Sequence, residues 1–144
     1  LAFYERRVFD HTKPYDGVVD MLEALAPNHR LALLTNKPEA SARALMRRAG
    51  IEPFFGECVF GDGPFARKPN PNGLQSIIAR VGTDAAHTLM VGDSSMDLDV
   101  AQAAGTRLCL ARYGFGFSHI DPARLCAADL VIDRPLTLVE WLKP

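Results

Sequence analysis

The 144-residue sequence is poor in cysteine, in charge of one sign and in long apolar runs. Its three cysteines, Cys58, Cys109 and Cys126, lack the paired spacing of a metal site. Cys58 and Cys109 lie inside apolar segments, so they are expected as small buried hydrophobes in a reducing compartment, with the cytoplasm as the default. Sixteen Lys and Arg stand against seventeen Asp and Glu, and no run of like charge occurs. A nucleic-acid surface or an anionic-membrane partner therefore gains no electrostatic support. No apolar run approaches the roughly 20 residues a membrane helix needs. The opening LAFYERRVFDHTKPY lacks the basic start and apolar stretch of a secretory leader. What is present is 48% apolar residues, enough for the core of a single globular domain.

The apolar pattern alternates between two periods. Leu1, Tyr4, Val8 and Phe9 have helical spacing and read as the tail of a helical element, ended by Pro14. Helices are predicted over 17–26, 39–49, 71–81, 95–104 and 136–142. Gly50, Gly82 and Gly105 are read as stops, and Asn70 as an N-cap. Short apolar strands are predicted at 30–35, 58–60, 88–91, 107–111 and 130–132. Strands alternating with helices of about ten residues imply right-handed βαβ units, hence an α/β fold with a doubly wound parallel sheet in three layers. In such sheets chemistry collects beyond the carboxyl ends of the strands. The stretches to examine are then Thr35-Asn36-Lys37, Gly61-Asp62-Gly63, Gly92-Asp93-Ser94-Ser95 and Arg112-Tyr113-Gly114.

Three of these junctions carry candidate chemistry. Asp93 directly follows a strand and Asp97 lies four residues on, in a first helical turn. Two carboxylates converging on one spot repel unless a cation lies between them, and few hard oxygen ligands suit Mg²⁺. Helix capping accounts equally well for Ser94 and Asp97, though not for Asp93. Thr35 and Asn36 precede a helix, where a hydroxyl and free N–H groups bind either an anion or simply the helix end. Lys68, in Arg67-Lys68-Pro69-Asn70-Pro71, is held in a loop stiffened by prolines, as a fixed cation for a phosphate or as a solvated lysine. Taken together, a hydroxyl, an ammonium and a carboxylate pair at successive strand–helix junctions would converge on one dianion and one Mg²⁺. The four histidines stand apart from any Ser or Cys in a triad-like arrangement. Asp62 is read as a turn residue or an aid to the Lys68 loop, Arg112 and Tyr113 as weak candidates for substrate contact, Asp99 as solvent-facing, and Trp141 as packing the last helix on the sheet.

LLTNK, RKPNP and MVGDSSMDLDVAQAAG, in that order, resemble the second, third and fourth motifs of the haloacid dehalogenase-like (HAD) superfamily. Pro14-Tyr15-Asp16-Gly17-Val18 and Tyr113-Gly114-Phe115-Gly116 resemble flanking stretches of its phosphoglycolate phosphatase-like branch. The resemblance implies a Rossmann-like core over 14–144 and a remnant of a helical cap domain over 1–13. It implies a Mg²⁺-dependent hydrolase of a small phosphorylated metabolite, acting through an aspartyl-phosphate. Thr35, with the Asn36 backbone beside it, would bind the phosphoryl oxygens, Lys68 would neutralise charge between phosphate and nucleophile, and Thr35 and Lys68 would be the catalytic pair present. Asp93 would be a Mg²⁺ ligand, and Asp97 a second ligand or a carboxylate orienting bound water.

The superfamily's first motif, Asp-x-Asp-Gly-Thr, occurs nowhere in the 144 residues. In relatives it ends a central strand between those ending in Thr35 and Asp93, and its first Asp is the nucleophile. The core is therefore expected to lack its first strand, to be inactive as this chain alone, and to offer an open sheet through which copies could associate. The alternative expectation is a degenerate member that binds a phosphate, a metabolite or another protein without catalysis.

Overall fold

The computed structural model describes residues 13–144. The cap remnant expected over 1–13 lies outside the described residues except for Lys13. The elements follow in the order α1 (Val18–Leu25), β1 (Leu31–Leu34), α2 (Glu39–Ala49), β2 (Phe55–Val59), α3 (Asn72–Val81), β3 (Leu89–Gly92), α4 (Ser95–Ala104), β4 (Arg107–Ala111), β5 (Leu130–Ile132) and α5 (Pro135–Trp141). Gly50, Gly82 and Gly105 end α2, α3 and α4, each in the left-handed conformation. No helix among the described residues is long and apolar enough to cross a membrane.

Alternation along the strands builds two cores, one on each side of the sheet layer. Leu108 and Leu110 of β4 join Met90 of β3 beneath Leu74 of α3 and Leu98, Val100 and Ala101 of α4. Cys109 and Ala111, on the opposite side of β4, join Ile132 beneath Met21, Leu22 and Leu25 of α1 and Leu138 of α5. β1 contributes to both cores, with Leu34 on the first and Leu31 on the second. Helices thus cover both faces, which is why β4 reads as an almost unbroken apolar run.

Every strand pair is parallel, but the described strands form two sheets rather than one. β1 pairs with β2, and β3, β4 and β5 pair in that order. β1 and β3 each keep one edge without a strand partner among the described residues. Those edges are correspondingly open. All four residues of β1 are only half-buried, and Val91 of β3 is 38% exposed. The break falls where the superfamily resemblance places a central strand.

Three local readings change. β2 starts at Phe55, earlier than expected, because Gly56 and Glu57 hide the apolar pattern: Leu31 and Ala32 oppose Phe55 and Glu57, leaving Gly56 as a bulge. α3 starts at Asn72, not Pro71, and Asn70 accepts a hydrogen bond from the Asn72 N–H at 2.9 Å without serving as its N-cap. Trp141 does not pack into the core. It stays partly exposed beneath the Arg107 guanidinium, 5.0 Å from its ring centre, and Leu138 is the residue that anchors α5.

Candidate phosphate and cation site

The end of β3 fixes the carboxylates. Ser94 accepts a hydrogen bond from the Asp97 N–H at 3.3 Å, and Asp97 Oδ2 accepts from the Ser94 N–H at 3.1 Å, closing a capping box on α4. The same oxygen accepts from the Asp93 N–H at 3.0 Å and from the Ser94 hydroxyl at 3.0 Å. Capping is therefore real, and it leaves Asp97 with one oxygen, Oδ1, facing outward. Lys68 Nζ lies 2.6 Å from that oxygen. The two side chains are 13% and 6% exposed, so the pair is largely removed from water.

Asp93 is held differently. Among the described residues its carboxylate accepts one hydrogen bond, from the Gly116 N–H to Oδ2 at 3.2 Å. The chain packs so closely here that only glycine fits at two places. A Cβ on Gly92 would stand 2.3 Å from Asp97 Cγ, and one on Gly114 would stand 2.2 Å from Asp93 Cβ. The Gly-Asp sequence after β3 and the Tyr-Gly-Phe-Gly sequence after β4 thus interlock around one carboxylate.

The end of β1 supplies the other side. The Thr35 N–H donates to Val59 O at 3.0 Å, extending the β1–β2 ladder to the mouth of the site. The Thr35 hydroxyl oxygen accepts from the Lys37 N–H at 3.1 Å, which leaves its own O–H free to donate. Asn36 acts through its side chain, which the sequence did not suggest: its Oδ1 accepts from the Lys68 N–H at 2.8 Å and its Nδ2 donates to Lys68 O at 3.1 Å. Asp62 caps the start of α2, its Oδ1 accepting from the Glu39 N–H at 2.8 Å. The free N–H groups expected after Thr35 are thus partly spent within the chain.

Asn36, Lys68, Asp97 and Asp93 therefore form a continuous chain of contacts, with Thr35 the next residue along. Asp99 lies outside this chain, paired with Arg124 and part-exposed. Arg112 pairs with Asp133 at 3.2 Å and Tyr113 packs edge-on to Tyr15, their ring centres 5.5 Å apart. The Tyr15 hydroxyl accepts from the Phe115 N–H at 3.0 Å, tying the segment before α1 to the loop that holds Asp93. Burial is the main cause that pushes the Tyr113 phenol up to about 12, with Cys109, Asp93 and Tyr15 adding to it. Burial alone raises the Cys109 thiol to about 11, in keeping with an inert core cysteine. Cys126, by contrast, is exposed.

The donor set suits Mg²⁺ better than a metal that needs a full protein cage. No group of three or more His, Cys, Asp or Glu among the described residues is placed to hold an ion. Mg²⁺ makes do with one or two carboxylates, keeping water and substrate oxygens for the rest. Asp93 has the freer carboxylate, whereas Asp97 is engaged by Lys68 and three donors from the α4 start. Hollows of ≈ 330 Å³, beside Arg30 and Phe54, and ≈ 160 Å³, beside Arg43 and Phe60, are lined by none of the five site residues.

In open parallel α/β layers ligands bind beyond the carboxyl ends of the strands, which is where the Lys68–Asp97 pair stands. The family model described as haloacid dehalogenase-like hydrolase matches residues 1–111, and the chain belongs to that family. It is 36% identical over 143 residues to a phosphoglycolate phosphatase of Rhodospirillum rubrum, covering 99% of this chain and 58% of that protein. It is 30% identical over 143 residues to an N-acetylmuramic acid 6-phosphate phosphatase of Pseudomonas aeruginosa, covering 99% of this chain and 63% of the relative. The crystal structure of a predicted phosphoglycolate phosphatase from Haemophilus somnus 129pt superposes with a TM-score of 0.90 at 25% identity, over 99% of this chain and 63% of that one. The chain thus spans about three fifths of the length of these relatives.

Two outcomes follow from this geometry. Asp97→Ala strips Lys68 of its partner and α4 of its cap, and is expected to lower unfolding free energy by about 3–5 kcal/mol in urea denaturation; a wild-type midpoint would contradict the pairing. In alkaline titration of phenolate absorbance, one of the three tyrosines should ionise near pH 12 and disappear in Tyr113→Phe. An unfolded tyrosine releases its proton near pH 10, so the stability from burying neutral Tyr113 is full below about pH 10 and lost as pH climbs towards 12.

Proposed function

We propose that this chain is the phosphate- and cation-binding core of a Mg²⁺-dependent phosphomonoester hydrolase acting on a small phosphorylated metabolite of the phosphoglycolate kind. The carrying observation is that Lys68 stands between the β1 end and the α4 start, bonded through its backbone to Asn36 and through its ammonium to Asp97. The phosphatase names of the relatives support the same reading.

Each residue has a role that its free bonding capacity permits. The Thr35 O–H donates to a phosphoryl oxygen. Lys68 uses one of its three N–H donors on Asp97 and directs the others at the developing negative charge. Asp93, with Asp97 beside it, would hold Mg²⁺, which when bound neutralises phosphoryl oxygens. The nucleophile is a carboxylate outside the 144 residues, carried by a strand lying between β1 and β3. Its oxygen attacks phosphorus, the ester oxygen leaves with a proton from an acid on the same strand, and water then cleaves the acyl phosphate. The Asp-x-Asp-Gly-Thr motif is absent from these residues, which favours one second reading: a phosphate-binding or interaction domain without catalysis. The source DNA separates the two, since an in-frame apolar strand ending in Asp-x-Asp-Gly upstream of Leu1 supports the enzyme.

Residues 1–144 alone, with a generic phosphate ester and Mg²⁺, should give no turnover above background, yet bind inorganic phosphate in a Mg²⁺-dependent manner. Asp93→Asn should weaken that binding by on the order of tenfold, the equivalent of roughly 1.4 kcal/mol. Turnover abolished by Asp93→Asn would refute the external nucleophile, and phosphate binding indifferent to Mg²⁺ and to Asp93 would refute the hydrolase.

A further inference from the structure

Asn36 makes three side-chain hydrogen bonds across the site, using both Nδ2 donors and one of the two acceptor positions on Oδ1. Its carboxamide faces both backbone groups of Lys68, a residue 32 positions away. The second Nδ2 hydrogen points to Met96 Sδ, 3.7 Å away at the start of α4. The amide orientation follows from its partners: a flipped group would set oxygen against the Lys68 carbonyl and nitrogen against the Lys68 N–H.

The loop around Lys68 has few other ways to hold its backbone. Pro69 and Pro71 have no N–H to give. The other ties of residues 67–71 include a turn bond from the Asn70 N–H to Arg67 O at 3.0 Å, the Arg67 Nε–H donating to Gly61 O at 3.0 Å, and bonds into α3 from the Asn72 N–H to Asn70 Oδ1 and from the Gln75 N–H to Pro71 O, each at 2.9 Å. Among the described residues no other group bonds the Lys68 N–H or carbonyl. Lys68 is thus strung between two fixed points, Asn36 at its backbone and Asp97 at its ammonium. A long lysine stem held only at its tip would sample many rotamers, and one held at both ends does not.

We propose that Asn36 is a positioning residue, whose side-chain amide clamps the Lys68 backbone and thereby sets where the ammonium stands against a bound phosphate. This rests on the phosphate-binding reading above and adds to it: the Asn36 side chain acts through Lys68 and not on the phosphate.

The test compares wild type, Asn36→Ala, the isosteric Asn36→Asp and Lys68→Ala by amide hydrogen exchange and by inorganic phosphate binding with Mg²⁺. Losing the clamp should speed exchange of the single Lys68 N–H by on the order of tenfold in Asn36→Ala, and leave the β4 amides unchanged. Asn36→Asp keeps an acceptor for that N–H but no donor for the carbonyl, so its rate should fall between the two, which also covers an alanine variant that fails to fold. Phosphate affinity should drop about three- to tenfold in Asn36→Ala, and the drop should vanish when Lys68 is already alanine. Unchanged exchange at Lys68 in both Asn36 variants would overturn the clamp. An equal affinity loss in the Lys68→Ala background would overturn action through Lys68. Wild-type protein that binds no phosphate would instead count against the hydrolase reading, with the exchange measurement still deciding the clamp.

Discussion

The arrangement depends on one buried ion pair, Lys68 with Asp97. Removing an ammonium and a carboxylate from water costs more than their attraction returns unless both are further satisfied. Asp97 is: the capping box and the Asp93 and Ser94 N–H groups hold its other oxygen. Lys68 is held at its backbone by the Asn36 amide, and its ammonium keeps N–H donors beyond the one on Asp97. The pair therefore does what no backbone ladder does among the described residues: it joins the β1–β2 sheet to the β3–β4–β5 sheet at their carboxyl edges. Helix capping and site construction, alternatives at the level of sequence, turn out to be one set of bonds. The oxygen of Asp97 that caps α4 is not the oxygen that meets Lys68.

The division of the sheet gives this pair its setting. Both sheets feed the same two cores, so they form one layer with helices above and below. Yet β1 is half-exposed along its length and Val91 of β3 is open, where an interior strand would be covered. A strand paired there would end between Thr35 and Asp93, facing Lys68. In the proposed hydrolase the nucleophile would come from that place, and Thr35, Lys68, Asp93 and Asp97 would stabilise charge without attacking phosphorus.

Much of this was legible in the sequence, and what was not has a common cause. α2, α4, β4 and β5 have the bounds that periodicity and terminal glycines imply, because local pattern and tertiary burial agree there. The strand-end rule pointed to Thr35 and Asp93, with Asp97 in the first turn of the helix that follows, whereas Lys68, well past the end of β2, was marked by its flanking prolines. The start of β2 was obscured by a bulge at Gly56, and Trp141 misled because size alone does not decide burial. The bonds that sequence could not show are pairings across long separations: Asn36 with Lys68, Asp62 with Glu39, Gly116 with Asp93, Tyr15 with Phe115. A carboxamide after a threonine suggests a cap or a turn, and only the fold reveals that it holds a lysine in place.

The central claim, that these strand ends build one anion-and-cation pocket, is tested most directly by mapping amide shifts of the labelled chain as Mg²⁺ and inorganic phosphate are added together. The account predicts that the largest changes cluster at residues 35–37, 68, 93–97 and 114–116. Changes centred on Arg30 and Arg80, at the hollow between α3 and the start of β1, with the strand ends unmoved, would contradict it.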